Sequence, residues 1–204
     1  MRTSPEVGMA VRQGGAGPVR PPEAVARLRD ELRAHHRPTA EHSNRLAVLA
    51  RRVADRLTLD AMDATEVELV AVLHDVGKLA VPSAVLDHGG PLTPAQRRVV
   101  RRHTIEGGVL LAQTAGLEHL AHAVRATHER WDGAGYPDGL AGEAIPRSAR
   151  IVGCVDAYDA MTSDRAYRSS LGHGEAVRRL EADSGRQFDP VVVVAAVAVL
   201  SAAA

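Results

Sequence analysis

The run His74-Asp75-Val76-Gly77-Lys78 sets a neutral nitrogen donor beside an anionic oxygen donor on adjacent residues. An aspartate can bridge two cations where a histidine cannot, which suits the central ligand of a dinuclear hydrolytic site. The pair alone says little, because a helix end with Lys78 opposing the C-terminal dipole has the same residues. Four more residues add weight. His42, His103, His128 and Asp156 each fall on a different expected helix, separated from the next site by 25 to 32 residues. That rhythm is expected when successive helices of a bundle each turn one side chain inward. The other histidines have plainer readings: His35 and His36 at a helix end, His88 and His173 in loops, His119 and His122 on a solvated face.

The elements that must carry these side chains read as helices. Val25, Leu28 and Leu32 recur at helical spacing from Pro22, and Leu46, Leu49, Ala50, Val53 and Leu57 form one stripe of a helix from Thr39. Asp63 with Glu66 has the pattern of a capping box, opening an apolar helix that ends near Gly77. Thr93, Pro94 and Gln96 supply N-cap, N1 and N3 of a helix running towards Thr114, and Leu117 to Arg130 makes a shorter one. Four glycines and two prolines make 132–146 a loop, long enough to suggest a functional one. Arg147 to Thr162 and Gly174 to Asp183 read as helices. The valines from Val191 would also suit a strand, but Asp189 as cap, Pro190 at N1 and the lack of a partner strand favour a helix over 190–204. The expected fold is an all-α bundle of about seven helices. Residues 1–20, rich in Gly and poor in large apolar groups, read as a disordered leader before one folded domain over 21–204.

Composition narrows the function. The chain has 204 residues, 45% of them apolar, enough to bury a core without disulfides. Its five aromatics all lie from Trp131 onward, so the core is expected to be mainly Ala, Leu and Val. Lys plus Arg and Asp plus Glu both number 25, leaving no basic excess for a nucleic-acid polymer. A single cysteine, Cys154, excludes a disulfide framework, and no stretch suits a signal peptide or a membrane span. The expectation is a cytoplasmic protein that binds no membrane and no DNA or RNA.

The residues around His128 read Thr127-His128-Glu129-Arg130-Trp131-Asp132-Gly133-Ala134-Gly135-Tyr136-Pro137. With His42, the His74 to Lys78 run, His103 followed by Gly107, Ile145-Pro146, the stretch from Asp156 to Arg168, and Gln187-Phe188-Asp189-Pro190, the chain resembles the HD-GYP domain. That group belongs to the HD metal-dependent phosphohydrolases. The resemblance implies hydrolysis of cyclic di-GMP to linear pGpG or on to GMP. It implies two divalent transition-metal ions, iron or manganese, bridged by Asp75 and held by His42, His74, His103, His128 and Asp156. Lys78 would contact the scissile phosphate or the leaving oxygen, Asp159 would orient a ligand or the attacking water, and Arg165, Arg168 and Tyr136 would contact substrate. The Gly135-Tyr136-Pro137 loop could also dock a diguanylate cyclase domain, and Trp131 and Asp132 would pin that loop to the bundle. A homodimer fits the same picture.

Two positions depart from the family pattern. Thr127 stands where most members have the first of two adjacent histidines, so the second metal is expected to bind more weakly. Pro38 stands where members with a third metal have a glutamate, so two metals at most are expected. The alternatives to a working phosphodiesterase are a cyclic di-GMP binding or partner-docking module with weakened turnover, and a hydrolase of another nucleotide.

Overall fold

The computed structural model describes residues 21–163 and 170–202. In chain order its helices are α1 (Pro21–His35), α2 (Arg37–Arg56), α3 (Ala61–Leu73), α4 (Ser83–Leu86), α5 (Pro94–Arg101), α6 (His103–Ala112), α7 (Ala121–Arg125), α8 (Arg147–Thr162), α9 (His173–Ala182) and α10 (Pro190–Ser201). Short 3-10 turns occupy Val76–Ala80, Glu118–Leu120 and Gly142–Ala144. Among the described residues there is no strand, only an isolated bridge between Ser184 and Phe188. The all-α expectation holds, and among the described residues the count exceeds seven because the expected 93–114 helix divides into α5 and α6 and a short helix, α4, forms at Ser83–Leu86.

Apolar stripes at helical spacing make the core. Helices α2, α3 and α8 pack on one another, with α1 and α10 against α2 and with α9 and α10 against α8. Leu28, Leu46, Ala50, Val53, Val70 and Ile151 are fully or almost fully buried between them. Each large apolar side chain so buried contributes roughly 1.5–3 kcal/mol relative to exposure. Phe188 is the one aromatic in this core among the described residues, so Ala, Leu and Val do carry the packing. None of these helices is long and apolar enough to cross a membrane.

Three helix boundaries differ from the sequence pattern. Asp60, rather than Asp63, caps α3, its Oδ1 accepting from the backbone N–H of Met62 and Asp63 at 2.9 and 2.8 Å. Glu66 instead accepts from Ser148 Oγ at 2.8 Å, tying α3 to α8. The capping box at Thr93 and Gln96 forms as expected, but the helix it opens stops at Arg101 and restarts at His103. At that break His103 Nδ1 and Thr104 Oγ1 donate to the carbonyls of Val100 and Arg101, which the helix ladder would otherwise use. The segment after Leu117 tightens into a 3-10 turn and the single turn of α7, so it leaves helical geometry before His128. At the other end of the chain, α10 begins as read: Asp189 Oδ1 accepts from Val191 N–H at 2.8 Å with Pro190 in the first turn.

Candidate metal centre

Three of the six candidate ligands sit where elements start or stop. His74 caps the C-terminus of α3 and Asp75 opens the 3-10 turn that follows. His103 is the first residue of α6, while His42 lies within α2 and Asp156 within α8. His128, expected on a helix, sits in the turn after α7. Two groups result, His42 with His74 and Asp156, and Asp75 with His103 and His128; within each, one ligand atom per residue lies within 4.8 Å of the others.

Asp75 faces both groups. Its Oδ2 lies 3.3 Å from His74 Nε2 and 2.7 Å from Lys78 Nζ, and its Oδ1 lies 3.4 Å from His103 Nε2. His74 and His103 direct Nδ1 to a carbonyl three residues back, Ala71 O at 2.8 Å and Val100 O at 2.6 Å. A carbonyl only accepts, so Nδ1 carries the proton and Nε2 keeps its lone pair. His103 Nε2 and Asp75 Oδ1 are then two acceptors facing each other, both buried and without a hydrogen-bond partner. Two buried acceptors aimed at one point fit a cation.

His42 is oriented by a side chain. Its Nδ1 lies 2.7 Å from Asp159 Oδ2 and its Nε2 lies 3.0 Å from Asp156 Oδ1. Arg45 and Ser163 also reach Asp159 Oδ2, at 3.4 and 3.3 Å. Burial would lower the His42 pKa, but Asp156 and Asp159 outweigh it and raise it to about 9. Burial lowers His103 to about 3, against the pull of Asp75, and it lowers His128 as well. Burial opposes ionisation of Asp75, yet His74 and Lys78 beside it hold its carboxyl well below the usual range.

Close backbone packing sets the spacing of these elements. A Cβ on Gly77 would stand 1.9 Å from the carbonyl oxygen of His103 and 2.4 Å from the amide nitrogen of Gly107, so the turn after Asp75 lies directly on the first turn of α6. Gly135 fills the same role in the 132–146 loop, where a Cβ would stand 2.4 Å from Arg130 N. That loop is fastened at several points. Glu129 Oε1 accepts from the N–H groups of Asp138 and Gly139, Trp131 N–H donates to Gln187 O at 3.0 Å, and Asp132 N–H donates to Arg186 O at 2.8 Å. Asp189 Oδ2 accepts from Arg150 at 2.6 Å, and the Arg150 guanidinium lies over the Trp131 ring.

Tyr136 stacks on His128, with ring centroids 5.3 Å apart and planes 11° off parallel. Both rings, with Thr127 and Asp156, line a cavity of about 260 Å³. Thr127 is buried and its hydroxyl donates to Val124 O at 3.0 Å; its oxygen is a poorer metal ligand than an imidazole nitrogen. Glu41 pairs with Arg37 on the exposed side of α2. Arg165 and Arg168 lie outside the described residues. His35, His36 and His173, read as free of any role, do make contacts: His35 Nε2 meets Val81 O, His36 caps α2, and His173 Nδ1 meets the Tyr158 hydroxyl. Arg101, which no motif singles out, lies with its Cζ 4.6 Å from the centre of the Tyr136 ring.

The chain is 37% identical over 159 residues to a cyclic di-GMP phosphodiesterase of Thermotoga maritima, covering 77% of this chain and 43% of that one. It is 39% identical over 175 residues to the cyclic di-GMP phosphodiesterase response regulator RpfG of Xanthomonas campestris pv. campestris, covering 82% and 45%. It thus spans less than half the length of these curated relatives. Among solved structures, the HD domain of the L. monocytogenes phosphodiesterase PgpH superposes with a TM-score of 0.64 at 15% identity, covering 86% of this chain and 98% of that one. An HDG"Y"P protein from Bdellovibrio bacteriovorus superposes with a TM-score of 0.65 at 20% identity, covering 79% and 52%. The family model for the HD domain matches residues 27–192. Together with the histidines and aspartates gathered around Asp75, and with the loop at Gly135-Tyr136-Pro137, this match establishes that the chain belongs to the HD domain family, in its HD-GYP subgroup.

Proposed function

We propose that this chain is a metal-dependent phosphodiesterase that hydrolyses cyclic di-GMP to pGpG or GMP, with two iron or manganese ions held by His42, His74, Asp75, His103, His128 and Asp156. The observation that carries this reading is that Asp75 turns one oxygen to His74 and the other to His103, with its Oδ1 and His103 Nε2 left as facing acceptors. Bound divalent ions would supply Lewis acidity towards a phosphodiester and a water acidic enough to attack at neutral pH. The protein's own residues arrange the rest. Asp159 fixes the ring of His42, the Ala71 and Val100 carbonyls fix those of His74 and His103, and Tyr136 covers the face of His128. Lys78 holds its ammonium against Asp75 Oδ2 and is assigned to the scissile phosphate or to charge that develops on a leaving oxygen. Arg165 and Arg168 are assigned to substrate phosphate or guanine, where a planar guanidinium suits either.

The test is turnover by the metal-loaded protein, with cyclic di-GMP, 3'3'-cGAMP and pGpG resolved chromatographically. Release of pGpG or GMP that disappears in Asp75→Asn supports the reading, and no cleavage of any of the three at full metal occupancy refutes it. A second reading rests on Thr127: a hydroxyl is a poorer metal ligand than the imidazole usual at this position, which favours a cyclic di-GMP binding or docking module of low turnover. Another nucleotide is supported by a 3'3'-cGAMP-specific phosphodiesterase of Vibrio cholerae at 34% identity, 33% of whose length this chain covers. Docking of a diguanylate cyclase domain on the Gly135 to Pro137 loop and assembly as a homodimer belong to the same proposal.

A further inference from the structure

Around the cavity beside His128 and Asp156, the arginines differ in one respect. Arg130 pairs with Asp132, Arg150 pairs with Asp189, and Arg102, next in the chain to Arg101, pairs with Glu106. Lys78 is held by Asp75. Arg101 is exposed, and among the described residues it has no carboxylate within ion-pair distance. It meets the face of Tyr136, and the charge it places there works to lower the phenol's pKa, which burial otherwise pushes up to about 12. The guanidinium thus meets a ring, and among the described residues no acceptor takes its N–H donors, which leaves them available to a ligand in the cavity.

Its position limits what that can be. Arg101 is separated from His128 by two stacking steps, 4.6 Å to Tyr136 and 5.3 Å from there to the imidazole. Its contact on the site side is thus the Tyr136 ring and not one of the six ligands, while it lines the same cavity as His128 and Asp156. A cyclic dinucleotide has two phosphodiesters, of which only one can be cleaved at a time. We infer that Arg101 binds the second, uncleaved phosphate, so that it is a specificity-determining residue for substrates with two phosphodiesters. This inference rests on the phosphodiesterase reading above.

The experiment compares cyclic di-GMP with bis(4-nitrophenyl) phosphate, which has a single phosphodiester, on the metal-loaded full chain. Arg101→Ala is expected to raise KM for cyclic di-GMP about tenfold more than KM for the nitrophenyl ester, as befits removal of one exposed charge-assisted hydrogen bond to phosphate. Metal content and thermal midpoint should match the wild type, and Arg101→Lys should recover part of the loss by restoring the charge. Equal effects on both substrates, or a fall in metal content, would show that Arg101 acts by supporting Tyr136 and His128, and would overturn the assignment. An unchanged KM ratio would overturn it too. Should the wild-type protein cleave the nitrophenyl ester but no cyclic dinucleotide, the substrate reading itself fails and Arg101 loses its ligand with it; wild-type cleavage of cyclic di-GMP beside an unaltered Arg101→Ala ratio removes the arginine alone.

Discussion

Gly77→Ala tests whether backbone contact sets the metal spacing. The added methyl would start 1.9 Å from the His103 carbonyl oxygen and 2.8 Å from its carbon, and neither atom is the end of a flexible side chain. Bringing the nearer contact to 3.0 Å requires the turn and α6 to part by at least about 1.1 Å, and overpacking of this kind costs roughly 1–3 kcal/mol. Asp75 Oδ1 and His103 Nε2 stand 3.4 Å apart, which suits two donors each about 2.1 Å from one ion. Carried through to the side chains, the opening takes them to about 4.5 Å, beyond the roughly 4.2 Å that two such bonds can span end to end. Metal should therefore be lost from the group of Asp75, His103 and His128 while His42, His74 and Asp156 retain theirs. Metal analysis after dialysis, alongside urea unfolding of the metal-free protein, separates the two effects. A folded Gly77→Ala protein with wild-type metal content and affinity would refute the reasoning.

The remaining expectations are more direct. His74→Ala and Asp75→Ala should each remove most bound metal, measured by elemental analysis, and unchanged content in both would mean the ligands are misassigned. Thr127→His should tighten the weaker ion if the cavity beside it admits an imidazole, at a cost of roughly 1–3 kcal/mol in stability; a metal titration that overlays the wild type would show that position 127 does not face the ligands. In the metal-free protein Asp156 and Asp159 keep His42 protonated up to about 9, so metal uptake must displace that proton and affinity should rise with pH from 7 towards 9; a flat titration would argue against His42 as a ligand. Asp189→Ala removes the cap of α10 and the partner of half-buried Arg150 together, and should lower unfolding free energy by about 3 kcal/mol or more; a denaturation midpoint close to wild type would exclude that double role.

Five of the six candidate ligands were legible as residue types at a regular spacing, with Asp75 read beside His74, because a bundle that gathers side chains at its centre draws on successive passes of the chain. The cap of α10 was equally plain, since Asp-Pro is a local signal. The breaks at Arg102 and before His128 were not, because they depend on side-chain hydrogen bonds to carbonyls that compete with the helix ladder. A capping pattern at Asp63 lost to Asp60 because Glu66 is drawn across to Ser148, a tertiary contact with no trace in local sequence. Arg101 carries no local signal for a related reason. In an arginine-rich stretch, only the fold distinguishes the one arginine that turns towards the tyrosine ring.

Three candidate-ligand imidazoles, His42, His74 and His103, are each oriented by a hydrogen bond at Nδ1, and they differ in how far substitution can alter them. His74 and His103 each lean on a carbonyl of their own chain three residues back, so no replacement of a neighbouring side chain removes that support. His42 leans on Asp159, whose replacement by asparagine or glutamate would alter how strongly the ring gives up its electrons while leaving α2 intact. Of the hydrogen bonds that orient these three rings, the one with Asp159 is therefore the one that a side-chain substitution can change.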